Sequence, residues 1–251
     1  MKSQRILALV KIQYKSLIRV PTTFFIMLLL PIALTLIFGF AFGSVIIEDT
    51  GKSVFEFLVP GLFALSGLFM IIPVASSFSE DREQGLLKRI NTTPTTAAEF
   101  MGSHLLSNMS MVILQVAIIG LLCFLMGYRP DGAAAGMILA FVFMVIYSLS
   151  SIGLGLITAT IAKTAKAAGG IAWIFILPQQ MFASGLYPLP DSTIVIKMFM
   201  PLHYASDALT LLFDGIALSD LRIWGDLIIL IIFSVVIVMG GILLFKKYGK
   251  A

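Results

Sequence analysis

Charge is scarce in this sequence. Asp, Glu, Lys and Arg make up 12% of its 251 residues and hydrophobic residues 59%, where a soluble domain carries about 25% charged and roughly 45–50% apolar residues. Too few polar side chains remain to cover the surface of a water-soluble fold, which excludes a globular cytosolic enzyme, a nucleic-acid-binding domain and a disordered chain. Cysteine is nearly absent: Cys123 stands alone, so no intrachain disulfide forms, and its apolar run makes it a small buried hydrophobe. Asp, Glu, Lys and Arg are missing from the interior of every long apolar run. Proton- and ion-coupled carriers place such groups at membrane depth as relays and coordination sites. Apart from a backbone-carbonyl ion site, coupling to a gradient has little to work with. Intramembrane catalysis is equally poor, because neither His104 nor His203 has an evident nucleophile partner.

What remains is a series of apolar runs. At about 20 residues per span, they predict an all-α polytopic membrane protein, one transmembrane domain over 1–251, with spans at about 24–43, 57–78, 105–126, 136–162, 167–187 and 227–245. Pro73 is expected to kink the second span. The small pairs Ser151/Gly155 and Ala168/Ala172 suit close helix packing, and Asn108 and Gln115, seven residues apart on one face, suit bonds between helices. Residues 2–20 read as an amphipathic interface helix, with Arg5, Lys11, Lys15 and Arg19 opposite Ile6, Leu7, Val10, Tyr14, Leu17 and Ile18; Pro21 ends it. The segment from Pro188 to Phe213 holds Pro201, His203 and Asp207 and is too polar for a span. It is expected to form short helices at the far interface or dipping part-way in.

Six spans return both termini to one side. That side then holds Lys2, Arg5, Lys11, Lys15, Arg19, Arg82, Lys88, Arg89, Lys163, Lys166, Lys246, Lys247 and Lys250, while the other holds Lys52, Arg129, Lys197 and Arg222: 13 cations against 4. The positive-inside rule therefore places both termini in the cytoplasm. Gly51-Lys52-Ser53 mimics the end of a phosphate-binding loop, but Ile46 stands where that loop needs Gly. With neither its own ATPase nor a coupling ion site, the chain needs a partner to supply energy.

One inner loop has the features of a docking point. Glu80, Asp81, Arg82 and Glu83 precede a predicted short helix Gln84–Ile90, Asn91–Pro94 break the chain, and Thr96-Ala97-Ala98-Glu99 reads as a capping box. A rigid helix joined to two spans transmits force from a docked partner; the alternative is a solvated loop.

The run Ser79-Glu80-Asp81-Arg82-Glu83-Gln84-Gly85-Leu86-Leu87-Lys88-Arg89, followed by Thr93-Pro94 and Glu99-Phe100, resembles the loop signature of ABC-2-type transport permeases, the membrane subunits of ATP-binding-cassette exporters. The resemblance covers nearly the whole chain. It includes the basic N-terminal helix, Leu186-Tyr187-Pro188-Leu189-Pro190, and Met200-Pro201-Leu202-His203-Tyr204-Ala205, where Met200 replaces the family's usual Asn. It implies a homodimer or heterodimer of permeases in a prokaryotic plasma (inner) membrane. Two ATPase subunits, which hold the ATP and Mg, would bind beneath; this chain would hold no cofactor or metal.

By the same resemblance, Glu80 to Arg89 with Thr93 and Pro94 would seat in an ATPase groove. Gly185, Leu186, Tyr187, Pro188, Leu189, Pro190, Pro201 and Tyr204 would gate the outer exit, and substrate would pass at the dimer interface lined by spans two and five. An uncharged lining favours a hydrophobic or amphipathic, drug- or lipid-like cargo. Pro178, Gln179 and Gln180 are candidates for the pathway or for bonding a neighbouring helix. Polysaccharide, lipid-linked glycan or ion export are alternatives, as is a self-contained channel or secondary carrier.

Overall fold

The computed structural model describes residues 7–11, 13–14, 21–48, 50–85, 97–183, 185–186 and 191–248. They form helices α1 (Pro21–Phe42), α2 (Val54–Leu68), α3 (Ile71–Glu83), α4 (Ala97–Leu125), α5 (Ala134–Ile161) and α6 (Ala165–Ala183). After these come a 3-10 turn (Asp191–Thr193) and helices α7 (Ile194–Met198), α8 (Pro201–Phe213) and α9 (Leu221–Tyr248). There is no strand among the described residues; a single bridge, Ile46 to Ser53, closes the turn between α1 and α2.

Among the described residues, four helical stretches are long and apolar enough to cross a membrane: Val54–Glu83, Gly102–Leu125, Ala134–Ile161 and Leu221–Lys247. Two more of the six expected spans are helical. The first, α1, has 22 residues, about 33 Å at 1.5 Å per residue; its described apolar part is Leu28–Phe42. The fifth, α6, has 19 residues; Lys166 and Pro178-Gln179-Gln180 dilute its apolarity. The expected short helices after Pro188 are α7 and α8. On α8, Leu202, Ala205, Ala208, Leu209 and Leu212 are buried.

The stretch α2–α3 is the core of the molecule. Twelve of the fifteen residues of α2 are buried, and 83% of the stretch's most apolar window is enclosed, against 17% for α9. It breaks at Phe69–Met70, as Pro73 requires. A proline at 73 cannot donate to the carbonyl of Phe69, and its ring crowds that carbonyl. The Met70 amide shifts back to the Gly67 carbonyl (3.3 Å), which strips the Ser66 carbonyl of its helical donor. Gln115 of α4 replaces it, its Nε2 donating to Ser66 O at 2.8 Å. On the other side Tyr147 of α5 packs against Gly67, where a Cβ would come 2.9 Å from its ring.

Of the two polar residues expected to bond between helices, Gln115 does. Asn108 bonds its own helix, donating to His104 O at 2.8 Å, because a side chain four residues on reaches that carbonyl without leaving the helix. The small residues behave as expected: Gly155 touches Val74 and Ile71 O of α3, and Ala168 and Ala172 are fully buried.

The described part of the N-terminal segment, residues 7–11 and 13–14, is helical. It leans on α4: Gln13 bonds Ser103 and Ser107, and Tyr14 OH bonds Ser110. Leu7, 67% exposed, keeps the outward aspect expected of the apolar face. Tyr14 differs, because its hydroxyl finds a partner on α4.

The helix ends sort by charge. Arg82, Lys163, Lys166, Lys246 and Lys247 mark a basic end; Glu48, Glu56, Asp131, Asp214 and Asp220 mark an acidic end. At the acidic end Lys52 joins three segments, with Nζ 2.8 Å from Asp131 and 3.0 Å from Asp214. Asp131 N also donates to Phe213 O. The phosphate-loop lookalike is thus a staple, and Ser53 beside it caps α2 by accepting from Glu56 N at 3.2 Å.

Bonds to Asp131 and Asp214 raise the Lys52 pKa above its ordinary value. Its stabilisation is complete below the unfolded lysine value, about 10.4, and is lost as pH rises through the higher folded value. All three side chains are 40% or more exposed, so the staple contributes at most about 1 kcal/mol. Lys52→Met is expected to lower the melting temperature slightly at low salt. Molar salt or strongly alkaline pH should erase the difference, measured by thermal unfolding of detergent-purified protein.

Candidate functional site

The best-defined polar arrangement lies at the basic end, where α3 stops. Gln84 N donates to Glu80 O (2.9 Å) and Gly85 N to Arg82 O (3.1 Å). Gly85 adopts φ +73° with no atom near its missing Cβ. This is a left-handed helix stop that glycine makes without strain. Glu80–Glu83 are therefore the last turn of the kinked helix, where the sequence pattern had placed them in the loop after the second span; the expected helix Gln84–Ile90 lies, beyond Gly85, outside the described residues. The apolar stretch ends at Phe78, but the hydrogen-bond ladder runs on until a residue able to reverse φ arrives.

Asp81, Arg82 and Glu83 in that last turn each face a different helix. Arg82 donates through Nη2 to Ala162 O and through Nη1 to Thr160 O (3.4 Å), the terminal carbonyls of α5. Glu83 Oε1 accepts from Ala165 N at 2.6 Å, the first amide of α6. Thr164 caps the same turn by accepting from Ala167 N at 3.1 Å. Both ionised groups suit the helix dipoles they meet, a cation at a C-terminus and a carboxylate at an N-terminus, each worth about 0.3–1 kcal/mol. Asp81 Oδ2 lies 3.2 Å from His104 Nε2 of α4. His104 itself is buried between Phe78 and Phe100, with ring centroids 4.9 and 4.7 Å away.

The sequence pattern marked Asp81, Arg82 and Glu83. It carried no sign of their partners, because three are backbone groups at the α5–α6 connection and the fourth, His104, is 23 positions away. The rest of the expected docking loop, Leu86, Leu87, Lys88, Arg89, Thr93 and Pro94, lies outside the described residues.

Comparison with known proteins bears directly on this arrangement. Residues 4–213 match the family model of the ABC-2 type transporter. The chain belongs to the ABC-2 type transporter family. It is also similar to the daunorubicin resistance ABC transporter permease protein DrrB1 of Streptomyces coeruleorubidus, at 22% identity over 164 residues, 65% of this chain and 57% of that protein. The chain thus spans a little over half the length of this relative. Membership makes it a transport protein of the membrane and accounts for the apolar helices.

In this ABC-2 chain the described residues of the expected outer gate, Gly185, Leu186, Pro201 and Tyr204, fall at the acidic end. Gly185 has φ +69°, and a Cβ there would come 2.7 Å from Ser206 Oγ. Leu186 is buried. Pro201 opens α8 at a position where proline is favoured. Met200, in the family's Asn position, offers no side-chain cap. Tyr204 OH donates to Met198 O at 2.9 Å, holding α7 to α8. Tyr187, Pro188, Leu189 and Pro190 lie outside the described residues. Beneath Gly185 is a cavity of about 140 Å³ lined by Lys197, His203, Ser206, Asp207 and Thr210 with Met181–Ala183. Burial holds His203 below its usual pKa.

The candidate pathway residues divide. Pro178 is exposed, Gln180 half-buried, and Gln179 is 5% exposed with Nε2 donating to Phe175 O at 3.1 Å. Gln179 thus faces the interior of its own chain and bonds its own helix. The enclosure of α2 likewise leaves little of the second span to line a passage between chains; Phe57, 55% exposed, is among the few outward side chains there.

Proposed function

We propose that this protein is the membrane-spanning subunit of an ATP-dependent exporter of hydrophobic or amphipathic, drug- or lipid-like molecules. In this reading it works as a dimer of permeases, each with six spans, above two ATP-binding-cassette subunits that bind ATP and Mg. The basic end and both termini face the cytoplasm of a prokaryotic cell. The segment from Leu86 to Pro94 meets the ATPase, and α7–α8 with residues 185–190 gate the exit. The observation that carries this is the last turn of α3, where Asp81, Arg82 and Glu83 reach three other helices. A push on the chain following Gly85 therefore has a mechanical route into the bundle. The daunorubicin resistance relative and the uncharged spans favour a drug-like cargo over a polysaccharide, glycan or ion.

Two measurements test the reading. A cysteine replacing Lys52 should react with impermeant thiol reagents from outside intact cells, and one replacing Lys163 should not; the reverse pattern would sink the orientation. Tagged protein should bring down an ATP-binding-cassette subunit from native membranes, and the complex in liposomes should accumulate daunorubicin or a similar amphipath when given ATP. A protein that forms an ion-conducting pore by itself would point to a channel instead.

A further inference from the structure

We infer that Arg82 and Glu83 are positioning residues that act inside the permease, locking α3 to the α5–α6 connection so that these parts move as one body. The inference rests on the proposed function, in which the drive enters after Gly85. Three observations converge on it.

First, α3 is a rigid segment of 13 residues, about 20 Å long, with a discontinuity at each end. The break at Phe69–Met70 separates it from α2, and Gly85 separates it from the chain beyond. Such a segment tilts as a unit about its upper break.

Second, its sides are packed without slack against the same two helices that its tip grips. Gly155 of α5 allows contact with Val74 and Ile71 that any Cβ would foul. Ala75, Ala162 and Ala168 form a buried alanine cluster between α3, the connection and α6. Sliding of α3 past either helix is therefore resisted along its length.

Third, the grips of Arg82 and Glu83 are directional and complementary. One holds the carbonyl end of α5 and the other the amide end of α6, so together they span the connection 162–165. A residue serving mainly to touch an ATPase would leave its charged atoms outward. Here Arg82 is half-buried with its guanidinium on the α5 carbonyls, and Glu83, exposed like Gln84 and Lys163, still holds the Ala165 amide.

The test uses the permease–ATPase complex in liposomes with spin-label pairs at Gln84/Lys163 and at Phe57/Gln84, all exposed positions. Distances are read by pulsed electron resonance with ADP and with trapped ATP. The 84/163 distance should stay the same in both states while the 57/84 distance changes. Arg82→Gln should let the 84/163 distance vary with nucleotide and lower ATP-driven transport at least tenfold with the ATPase still bound; Arg82→Lys should recover part of it.

If Arg82→Gln fails to fold, Ala165→Pro takes its place. It deletes the amide that Glu83 accepts from, at a first helical position that proline tolerates, and the same loosening is expected. A wild-type 84/163 distance that changes as much as the 57/84 distance overturns the inference, and so does a fixed distance in Arg82→Gln or Ala165→Pro. A wild-type 57/84 distance indifferent to nucleotide counts against the reading of function itself, because α3 then receives no drive.

Discussion

Gly155→Leu is expected to eliminate folded protein. A Cβ at 155 would lie 2.8 Å from Val74 Cβ, 2.9 Å from Val74 Cγ1 and 3.0 Å from Ile71 O. The β-carbon and the main-chain oxygen cannot turn aside, since they move only when α3 moves. Displacing α3 would disturb Val74, Ala75 and Phe78, all fully buried, and would pull Arg82 and Glu83 from their partners. Overpacking by a methyl or two ordinarily costs about 1–3 kcal/mol, so Gly155→Ala should lower the melting temperature and leucine should exceed what a marginally stable fold tolerates. Gly170→Ala is the control. Its Cβ meets nothing within 4 Å, and alanine favours helix by about 1 kcal/mol, so its melting temperature should be unchanged or higher. Yield of monodisperse protein and thermal unfolding in detergent measure all three. A Gly155→Leu protein as stable as wild type would refute the close α3–α5 packing.

Gln115→Leu is expected to destabilise the protein by about 1–3 kcal/mol, the cost of an unsatisfied buried polar group. Side-chain bonds between membrane helices average only about 0.6 kcal/mol, because polar groups on separated helices in the membrane also find partners. Ser66 O differs: the break at Phe69–Met70 has taken its donor away, and Gln115 supplies the replacement at 2.8 Å. The explanation makes a stronger claim about pairs of changes. Pro73→Ala restores an amide at 73 and lets the helix straighten enough for Met70 N to return to Ser66 O. Gln115→Leu should therefore cost much less in the Pro73→Ala background. Thermal unfolding of the four proteins in lipid nanodiscs gives the coupling. Additive effects would mean that Gln115 does not answer the proline break.

The reading of the chain as a membrane protein was already complete in its composition, because apolar runs without charge have one stable solvent. Helix positions followed from the same runs to within about eight residues, the largest difference being the start of α4, and Pro73 announced the break near Phe69. Where helices end was harder to read. Hydropathy ends the second span at Phe78, but the hydrogen-bond ladder needs a reversal of φ to stop and runs to Glu83, with Gly85 just beyond. Asn108 and Gln115 looked equivalent by spacing. One bonds its own helix and the other rescues a carbonyl freed on α2, a distinction set by which face meets the break.

The candidate site was half visible. The acidic and basic residues before Gly85 stood out as the densest charge in the chain, and their order carried the family resemblance. Their partners did not stand out. A main-chain carbonyl at Ala162 or an amide at Ala165 has no side-chain signature, so no pattern of residue types could pair them with Arg82 and Glu83 across about 80 positions. Lys52 is the mirror case: it sat in a phosphate-loop lookalike, and its two aspartate partners lie in segments far along the chain.

The sequence by itself determined the solvent, the helical class, the segregation of charge to the helix ends and the family, because these depend on counts and local order along the chain. The tertiary structure alone decided that α2–α3 is enclosed, that Gln115 completes the break, and that the tip of α3 holds α5 and α6 together. Those outcomes depend on which backbone groups come within hydrogen-bond reach, and reach in space is a property of packing that no local pattern encodes.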